Sequence, residues 1–265
     1  MLSRHRINLV EYATFNLIMS STNAGLRSKY IENRNAWDLR ENDIPTGEIS
    51  EAARSLDVRP VQVHCPNYDL SEPDPGKRSR AIVMTGRVLN ICAKMEVSTL
   101  VVHSVTRPES GEDGKSKDRL LESLRTLAPS AADLGCRIAV ENGWRDLFGS
   151  RAENLVELIE GSDPDHICAC LDTGHSERMG MSPASMARKL GSYLGTTHIH
   201  DYDGKSDHIP PFTGDIDWKD LASALNEVGY DDHLIGEIEG SESIGDGILQ
   251  SRGAMEDLLG LMETN

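Results

Sequence analysis

The sequence lacks the features that mark membrane-spanning and secreted proteins. No apolar run approaches the ~20 residues that a membrane-spanning helix needs. Residues 1–15 lack the long apolar stretch of a secretory signal peptide. The five cysteines are an odd number and include no C-x-x-C pair, which predicts reduced thiols. We therefore expect a cytoplasmic protein.

Positive charge and aromatic side chains are also scarce. The chain has 27 lysines and arginines against 43 aspartates and glutamates, a formal net charge of −16, and only 5% aromatic residues. Such a chain offers little counter-charge to nucleic-acid phosphates or to an anionic membrane surface. The composition therefore favours a small polar partner over a nucleic acid or a membrane, and it leaves homo-oligomerization open.

Short apolar and β-branched runs recur along the 265 residues, and each is too short to form a helix. Six of them predict strands, at residues 61–64, 99–103, 137–141, 166–172, 196–200 and 233–237. Two further strands are predicted near the N-terminus, at residues 7–12 and 36–40. The ends of the six clear strands are 39, 38, 31, 28 and 37 residues apart, which leaves room for a helix and a return between parallel strands.

Helical patterns occupy the stretches between the predicted strands. Apolar spacing predicts helices at residues 48–56, 119–134, 217–228 and 247–263, and Ser182 followed by Pro183 predicts the start of another. Residues 73–76 and 108–117 are predicted to be loops. Eight alternating units without a linker predict an α/β protein, a single (β/α)8 TIM barrel forming one domain over residues 1–265.

Six of the predicted strands end in a side chain that can bind a metal ion. These residues are His64, His103, Glu141, Asp172, His200 and Glu237. In a (β/α)8 barrel the strand ends meet at the catalytic face. Carboxylates that converge there have to share a cation or protons, because an unpaired buried charge costs several kcal/mol. Mixed carboxylate and imidazole donors suit Mn²⁺, Mg²⁺, Co²⁺, Zn²⁺ or Fe²⁺.

Alternation along a strand helps to choose among neighbouring donors. His198 and His200 share one face of their strand, as do Glu237 and Glu239 of theirs. His200 lies nearer the predicted mouth, and Glu237 directly ends its apolar run, so these two are predicted as ligands. His198 is then expected one layer deeper, as a core residue or a partner of the ligands.

Several motifs lie at these strand ends. They are AVEN at residues 139–142, CLDTGH at 170–175, HIHD at 198–201 and GE at 236–237, together with HCPNY at 64–68, VH at 102–103 and DHIPP at 207–211. The set resembles the xylose isomerase-like TIM barrels, the sugar phosphate isomerase/epimerase family, which is related to the family-2 apurinic endonucleases. The resemblance covers about residues 60 to 240.

The resemblance implies roles for individual residues. The implied ligands of a divalent metal ion are Glu141, Asp172, His200 and Glu237. The predicted substrate contacts are His64, His103, Trp144, His175 and His208. In the family the two glutamates, here Glu141 and Glu237, also exchange protons with the substrate. One departure is Phe212, a bulky residue where the family has a glycine-rich turn.

Such a site can move a proton at a carbon next to a carbonyl group. A divalent cation that chelates the carbonyl and its neighbouring hydroxyl stabilises the enediolate that forms. Two carboxylates on opposite sides of the substrate can remove and return the proton. We therefore predict a metal-dependent isomerase or epimerase that acts on a small sugar, sugar phosphate or hydroxy-keto acid.

Three other functions stay open at this point. A dehydratase of an inosose-like ketone would use the same metal ion and proton abstraction, followed by loss of hydroxide. A family-2 apurinic endonuclease would bind three cations through the histidines and carboxylates, although the charge of −16 argues against a DNA substrate. A non-catalytic metal- or sugar-binding barrel would keep the ligands without turnover.

Overall fold

Strands and helices alternate through the computed structural model, which describes residues 7–8, 46–55, 59–104, 113–238 and 244–264. The strands are β1 (Ile7–Asn8), β2 (Gln62–His64), β3 (Thr99–His103), β4 (Arg137–Glu141), β5 (Ile167–Asp172), β6 (Leu194–His198) and β7 (Leu234–Ile235). The helices are α1 (Thr46–Ser55), α2 (Pro75–Lys94), α3 (Asp113–Asp133), α4 (Ala152–Gly161), α5 (Thr173–Arg178), α6 (Pro183–Leu190), α7 (Trp218–Glu227) and α8 (Ile244–Thr264).

The strands form a curled, all-parallel sheet. Strands β2 to β6 pair in sequence order, and β1 pairs with β7. A parallel bridge between Ile199 and Gly236 joins the chain just beyond β6 to the chain just beyond β7. This arrangement, with a helix between successive strands, is that of a (β/α)8 barrel and confirms the predicted fold class. The predicted strand at 36–40 and most of the one at 7–12 lie outside the described residues.

Small side chains fill the barrel interior below its carboxyl end. Val101, Ala139, Cys168 and Cys170 form a buried cluster separate from the main core, which lies between the sheet and the helices. Side chains alternate along a strand, so the parity that turns Ala139 and Cys170 toward the axis also turns Glu141 and Asp172 toward it. All five cysteines are free and buried.

Two helices begin inside segments that were predicted as loops. Helix α3 starts at Asp113, inside the segment predicted as a loop, because its buried stripe begins only with Leu120. Helix α2 starts at Pro75, also within a predicted loop, and Asp74 caps it by accepting a hydrogen bond from the Lys77 amide at 2.8 Å. Within the described ranges, no helix is both long and apolar enough to cross a membrane.

Gly195 in β6 packs directly against β5. A Cβ added at this position would lie 2.8 Å from Cys168 Cβ, closer than two carbons can approach. We expect Gly195→Ala to lower the free energy of unfolding by about 1–3 kcal/mol, because β6 must shift to admit the methyl group. The measurement is chemical denaturation of the metal-free protein.

Gly86→Ala is the matched control for this substitution. Gly86 lies in the middle of α2, where the nearest atom to an added Cβ is Leu127 Cδ2 at 4.0 Å. The same methyl group should there raise the free energy of unfolding by about 0.5–1 kcal/mol, since alanine loses less entropy in a helix than glycine. A Gly195→Ala protein as stable as the wild type would contradict the tight contact between β5 and β6.

Candidate metal centre and active site

Four buried side chains converge at the carboxyl ends of β4 to β7. They are Glu141, Asp172, His198 and Glu237, none more than 7% exposed. One donor atom from each lies within 4.8 Å of those of the other three. His198 Nδ1 is 2.7 Å from Glu141 Oε1, 3.1 Å from Glu237 Oε2 and 3.9 Å from Asp172 Oδ2. Three carboxylates and one imidazole therefore surround a single point on the barrel axis.

The local structure around β5 fixes the orientation of Asp172. Its amide donates to Asn142 Oδ1 at 2.7 Å, and Asn142 Nδ2 donates back to its carbonyl oxygen at 3.0 Å. Its carboxylate caps α5 by accepting a hydrogen bond from the His175 amide at 2.7 Å. The second carboxylate oxygen, Oδ2, lies 3.0 Å from His200 Nε2 and 3.9 Å from His198 Nδ1, so it borders both imidazoles. Asn142, which had no role assigned from the sequence, thus locks β4 to β5 beside the site.

The structure places His198 beside Glu141 and Glu237, and it places His200 against Asp172. Strand β6 ends at His198, two residues before the predicted end, and His198 is in register with Asp172. His200 lies beyond the strand, where its Nε2 is 2.8 Å from Asp172 Oδ1. His200 thus contacts Asp172, whereas His198 lies beside Glu141 and Glu237. The ligand set of Glu141, Asp172, His200 and Glu237 stays a prediction, and His198 is fully buried, in keeping with a core residue or a partner of the ligands.

His200 belongs to a second cluster on the far side of Asp172. This cluster consists of Asp172, His175, His200 and His208. The rings of His200 and His208 stack with centroids 4.1 Å apart, and Asp207 Oδ1 lies 3.5 Å from His200 Nδ1. Gly174 gives His200 its space, since any side chain at Gly174 would overlap the imidazole ring.

The other oxygen of Glu141 faces two more imidazoles. His64 Nε2 and His103 Nε2 lie 3.4 and 3.3 Å from Glu141 Oε2, which makes no hydrogen bond among the described residues. His64 Nδ1 lies 3.0 Å from the Cys65 carbonyl oxygen, to which it donates, and this contact holds the ring with its Nε2 beside the carboxylate. A buried carboxylate needs positive charge or shared protons close to it, and the imidazoles around Glu141 meet that need together with any bound cation.

Electrostatics hold the two glutamates ionised. Burial opposes the charged form of Glu141, but His198, His64 and His103 more than offset it and lower its pKa well below the ordinary value. Glu237 behaves likewise: burial would raise its pKa, yet the neighbouring His198 lowers it. For His200, burial is outweighed by the Asp172 carboxylate, which raises the pKa of the imidazole to about 9. Ionised carboxylates are the state that binds a cation.

The predicted substrate contacts form a continuous run of rings beside the centre. Ring centroids are 4.7 Å apart for His64 and His103, 5.5 Å for His103 and Trp144, 5.1 Å for Trp144 and His175, and 5.9 Å for His175 and His208. Four of the five are half-buried and His175 is buried. Trp144 thus lies between two histidines and offers an apolar face next to polar nitrogen atoms.

Asp201 anchors the loop that follows β6. It is fully buried, and its carboxylate accepts hydrogen bonds from the amides of Tyr202, Gly214 and Ile216 and from Trp218 Nε1, at 2.9–3.2 Å. The loop carries His208, whose backbone has a φ of 54°. Asp201 therefore tethers this loop to the start of the following helix.

A family comparison agrees with the fold. The family described as xylose isomerase-like TIM barrel matches residues 23–262 of the chain. The protein belongs to this family. This confirms the resemblance carried by the strand-end motifs. Glu239, the alternative to Glu237, lies outside the described residues, so the preference for Glu237 is not decided by a comparison of the two.

Relatives of this xylose isomerase-like barrel include proteins of known and unknown activity. An uncharacterized protein of Methanocaldococcus jannaschii is 26% identical over 181 residues, 64% of this chain and 61% of that protein. The D-psicose 3-epimerase of Ruminiclostridium cellulolyticum is 25% identical over 207 residues, 73% of this chain and 68% of that enzyme. The first relative is therefore matched over less than two thirds of its length.

A solved structure of the IOLI protein with a bound zinc atom shares the fold. Its TM-score is 0.72 at 19% identity, over 82% of each chain.

One further residue that touches the candidate centre was not predicted from the sequence, Gln62 at the start of β2. The only local signal is a buried polar side chain in an apolar strand, and its partner is 136 positions away.

Proposed function

We propose that this protein is a divalent-metal-dependent sugar isomerase or epimerase that moves a proton at the carbon next to a carbonyl group. The observation that carries the proposal is the buried set of three carboxylates and one imidazole at the carboxyl ends of the strands. Active sites of (β/α)8 enzymes lie at that end. The similarity to a D-psicose 3-epimerase supports the reaction class.

The residues proposed to hold the ion are Glu141, Asp172, His200 and Glu237, all of them buried. Oxygen and imidazole donors without thiolate suit Mn²⁺, Mg²⁺, Co²⁺ or Zn²⁺. When bound, the ion would supply positive charge beside the substrate's carbonyl oxygen as a Lewis acid. The barrel wall excludes water from this position, since the four side chains are almost fully buried, and electrostatic attraction is stronger in such an environment.

Glu141 and Glu237 are the proposed proton carriers. They approach the centre from β4 and from beyond β7, on two sides of His198 Nδ1. Both have a lowered pKa and are therefore ionised at neutral pH, ready to accept a proton. If one glutamate removes the proton and the other returns it to the opposite face, the carbon is epimerised. If the proton is returned to the adjacent carbon, the sugar is isomerised.

The proposed substrate is a small polyhydroxylated ketone. Trp144 would pack against its apolar face, and the imidazoles of His64, His103, His175 and His208 would bind its hydroxyl groups. His175 Nδ1 lies 3.1 Å from the Asn142 carbonyl oxygen and donates to it, which leaves Nε2 for a substrate oxygen. Arg178 donates to Asp207 at 2.9 Å, so its charge is already paired, which favours an uncharged sugar over a sugar phosphate.

The test combines metal content with proton exchange. Protein purified without chelator or nickel should contain about one divalent ion per chain, by plasma mass spectrometry. In D₂O the loaded protein should incorporate deuterium into a ketose next to the carbonyl, and the stripped protein should lose this activity, because the bound ion stabilises the developing negative charge. Exchange detects the common step of isomerisation and epimerisation, whichever product forms.

Other outcomes point elsewhere. Loss of water from an inosose would indicate the dehydratase, and cleavage of abasic DNA would indicate the endonuclease. Failure to bind Mn²⁺, Co²⁺ or Zn²⁺ at all would overturn the proposal, because the carboxylate cluster would then serve no cation.

A further inference from the structure

Residues 201–209 form a short antiparallel hairpin beside the candidate metal centre, which we call the mouth hairpin. At its base, the backbone groups of Asp201 and Ile209 exchange two hydrogen bonds, at 2.8 and 3.3 Å. Its tip, residues 203–206, is exposed and turns at Gly204, whose φ is 84°. The segment therefore projects from the barrel into solvent and returns to it.

The base and the outer part of the mouth hairpin are held by contacts of different strength. At the base, the buried Asp201 carboxylate accepts four hydrogen bonds. Farther out, Asp207 Oδ2 accepts a hydrogen bond from Arg178 Nη1 at 2.9 Å, and 44% of the Arg178 side chain is exposed. Because water competes for both charges, an exposed ion pair changes an equilibrium constant by up to about fivefold. The base is thus fixed, whereas the outer contact can open and close.

The returning arm of the mouth hairpin carries His208 to the candidate centre. The His208 ring stacks on His200 with centroids 4.1 Å apart, and it lies 5.9 Å from the ring of His175. Arg178 ends α5, the helix that also carries His175. The ion pair between Arg178 and Asp207 therefore joins the two segments that present these imidazoles. Without it, the arm that carries His208 loses its link to α5.

We propose that Arg178 is a positioning residue that holds the mouth hairpin closed, with His208 placed to bind a hydroxyl group of the sugar, and that opening of the Arg178–Asp207 ion pair admits the sugar. The sugar-binding part rests on the proposed function, because it takes His208 as a substrate contact, whereas the closure itself does not. A sugar that binds the closed hairpin better than the open one must in turn favour the closed hairpin.

Trypsin cleavage after Lys205 measures opening of the mouth hairpin independently of activity. Lys205 lies at the exposed tip, and cleavage follows the population of open molecules when opening and closing are fast. Arg178→Met removes the charge and keeps an unbranched side chain, whereas Arg178→Lys keeps the charge. We expect the Met variant to be cleaved after Lys205 about two- to fivefold faster than the wild type, and the Lys variant to lie closer to the wild type. Mass spectrometry identifies the fragments.

Salt and a second arginine separate the ion pair from packing. Salt screens exposed charges, so raising NaCl from about 0.05 to 0.5 M should speed cleavage of the wild type and barely change that of the Met variant. A free peptide of residues 200–210 corrects for the effect of salt on trypsin. Arg188→Met is the matched control, because Arg188 pairs with Glu227 and Asp220 at 2.6 and 2.8 Å and joins α6 to α7. This control should be cleaved after Lys205 at the wild-type rate.

Added sugar tests the link between the mouth hairpin and the substrate. The probe is a ketohexose into which the metal-loaded wild type incorporates deuterium, with D-fructose tried first. At saturation it should slow cleavage after Lys205 in the wild type. In Arg178→Met the apparent KM for deuterium exchange should rise about two- to fivefold while kcat stays within about twofold, as expected when binding alone is weakened.

The results that would overturn the proposal are distinguishable. Equal cleavage of the Met variant and the wild type would show that the ion pair does not hold the hairpin. Equal cleavage of the Met and Lys variants would assign the effect to packing and not to charge. A ketohexose that exchanges without slowing cleavage would separate the hairpin from sugar binding. A wild type that exchanges no ketose would remove the proposed function and the sugar-binding part, while cleavage after Lys205 would still test the closure.

Discussion

Glu237→Gln is expected to lower the rate of deuterium exchange into a ketose by about 10³-fold, the middle of the range for general acid–base groups. Glutamine has the same shape as glutamate but can neither accept a proton nor contribute charge to a bound cation. The fold should survive, because glutamine fills the same volume and its amide oxygen can occupy the position of the carboxylate oxygen beside His198 Nδ1. Exchange is followed by NMR in D₂O, and the melting temperature is measured alongside.

His166→Ala is the control for this experiment. His166 immediately precedes β5, at the amino end of the barrel, and its Nδ1 lies 3.1 Å from Asp163 Oδ2 on the surface. Exchange should stay within about twofold of the wild type, since catalysis in this fold takes place at the opposite end. A large loss at unchanged stability would place the chemistry at the amino end. Full activity in Glu237→Gln would remove Glu237 from the proton path.

Asp201→Ala is expected to cause the largest loss of stability among the substitutions considered. The carboxylate accepts four hydrogen bonds, and alanine would leave the buried donors of Ile216 and Trp218, and the half-buried amide of Gly214, without this partner. An unsatisfied buried donor costs about 1–3 kcal/mol, so the total should reach about 3–6 kcal/mol. The melting temperature should fall by about 10 °C or more.

Asp217→Ala provides a comparison within the same segment. Asp217 is exposed and caps α7, accepting hydrogen bonds from the amides of Lys219 and Asp220 at 3.1 and 3.0 Å. Losing this cap should cost about 1 kcal/mol, because water can replace the lost acceptor. Calorimetric melting of both variants is the measurement. If the two substitutions cost the same, the buried network around Asp201 does not hold the loop.

The sequence predicted the bounds of a strand best where the strand is buried on both faces. Strands β3 and β4 have the bounds expected from their apolar runs, and each ends in the polar residue that was singled out, His103 and Glu141. Both strand ends can be predicted from the local sequence, because the apolar run of a buried strand stops at the first charged or polar residue. The barrel class followed from the spacing of such runs, without knowledge of any contact.

The end of β6 could not be predicted in the same way. The apolar Ile199 makes the run look two residues longer than the strand, so His200 appeared to be the last residue at the mouth. Where β6 stops depends on its register with β5, which includes a shift between Ala169 and Cys170 that no local pattern encodes. The predicted strand therefore ends two residues beyond the observed one.

Contacts across the barrel explain the remaining gaps. Gln62 and His198 are 136 positions apart, and neither residue alone signals the pair. The early start of α3 at Asp113 was missed for a local reason. The first turn of this helix is polar, so it lacks the apolar spacing from which a helix is predicted. Local composition therefore predicts where apolar runs lie, while registers and cross-barrel pairs depend on the assembled sheet.

The wide separation of the centre's residues along the chain has a kinetic consequence. Residues from β2 to the segment beyond β7 meet only when the sheet has curled almost completely, so the folding chain holds no cation site until late. Without a cation, Glu141 and Glu237 repel each other as the barrel closes. A bound cation stabilises contacts that form after the folding barrier, and such contacts slow unfolding rather than speed folding. An ion bound at the proposed centre would thus lower the unfolding rate of the closed barrel.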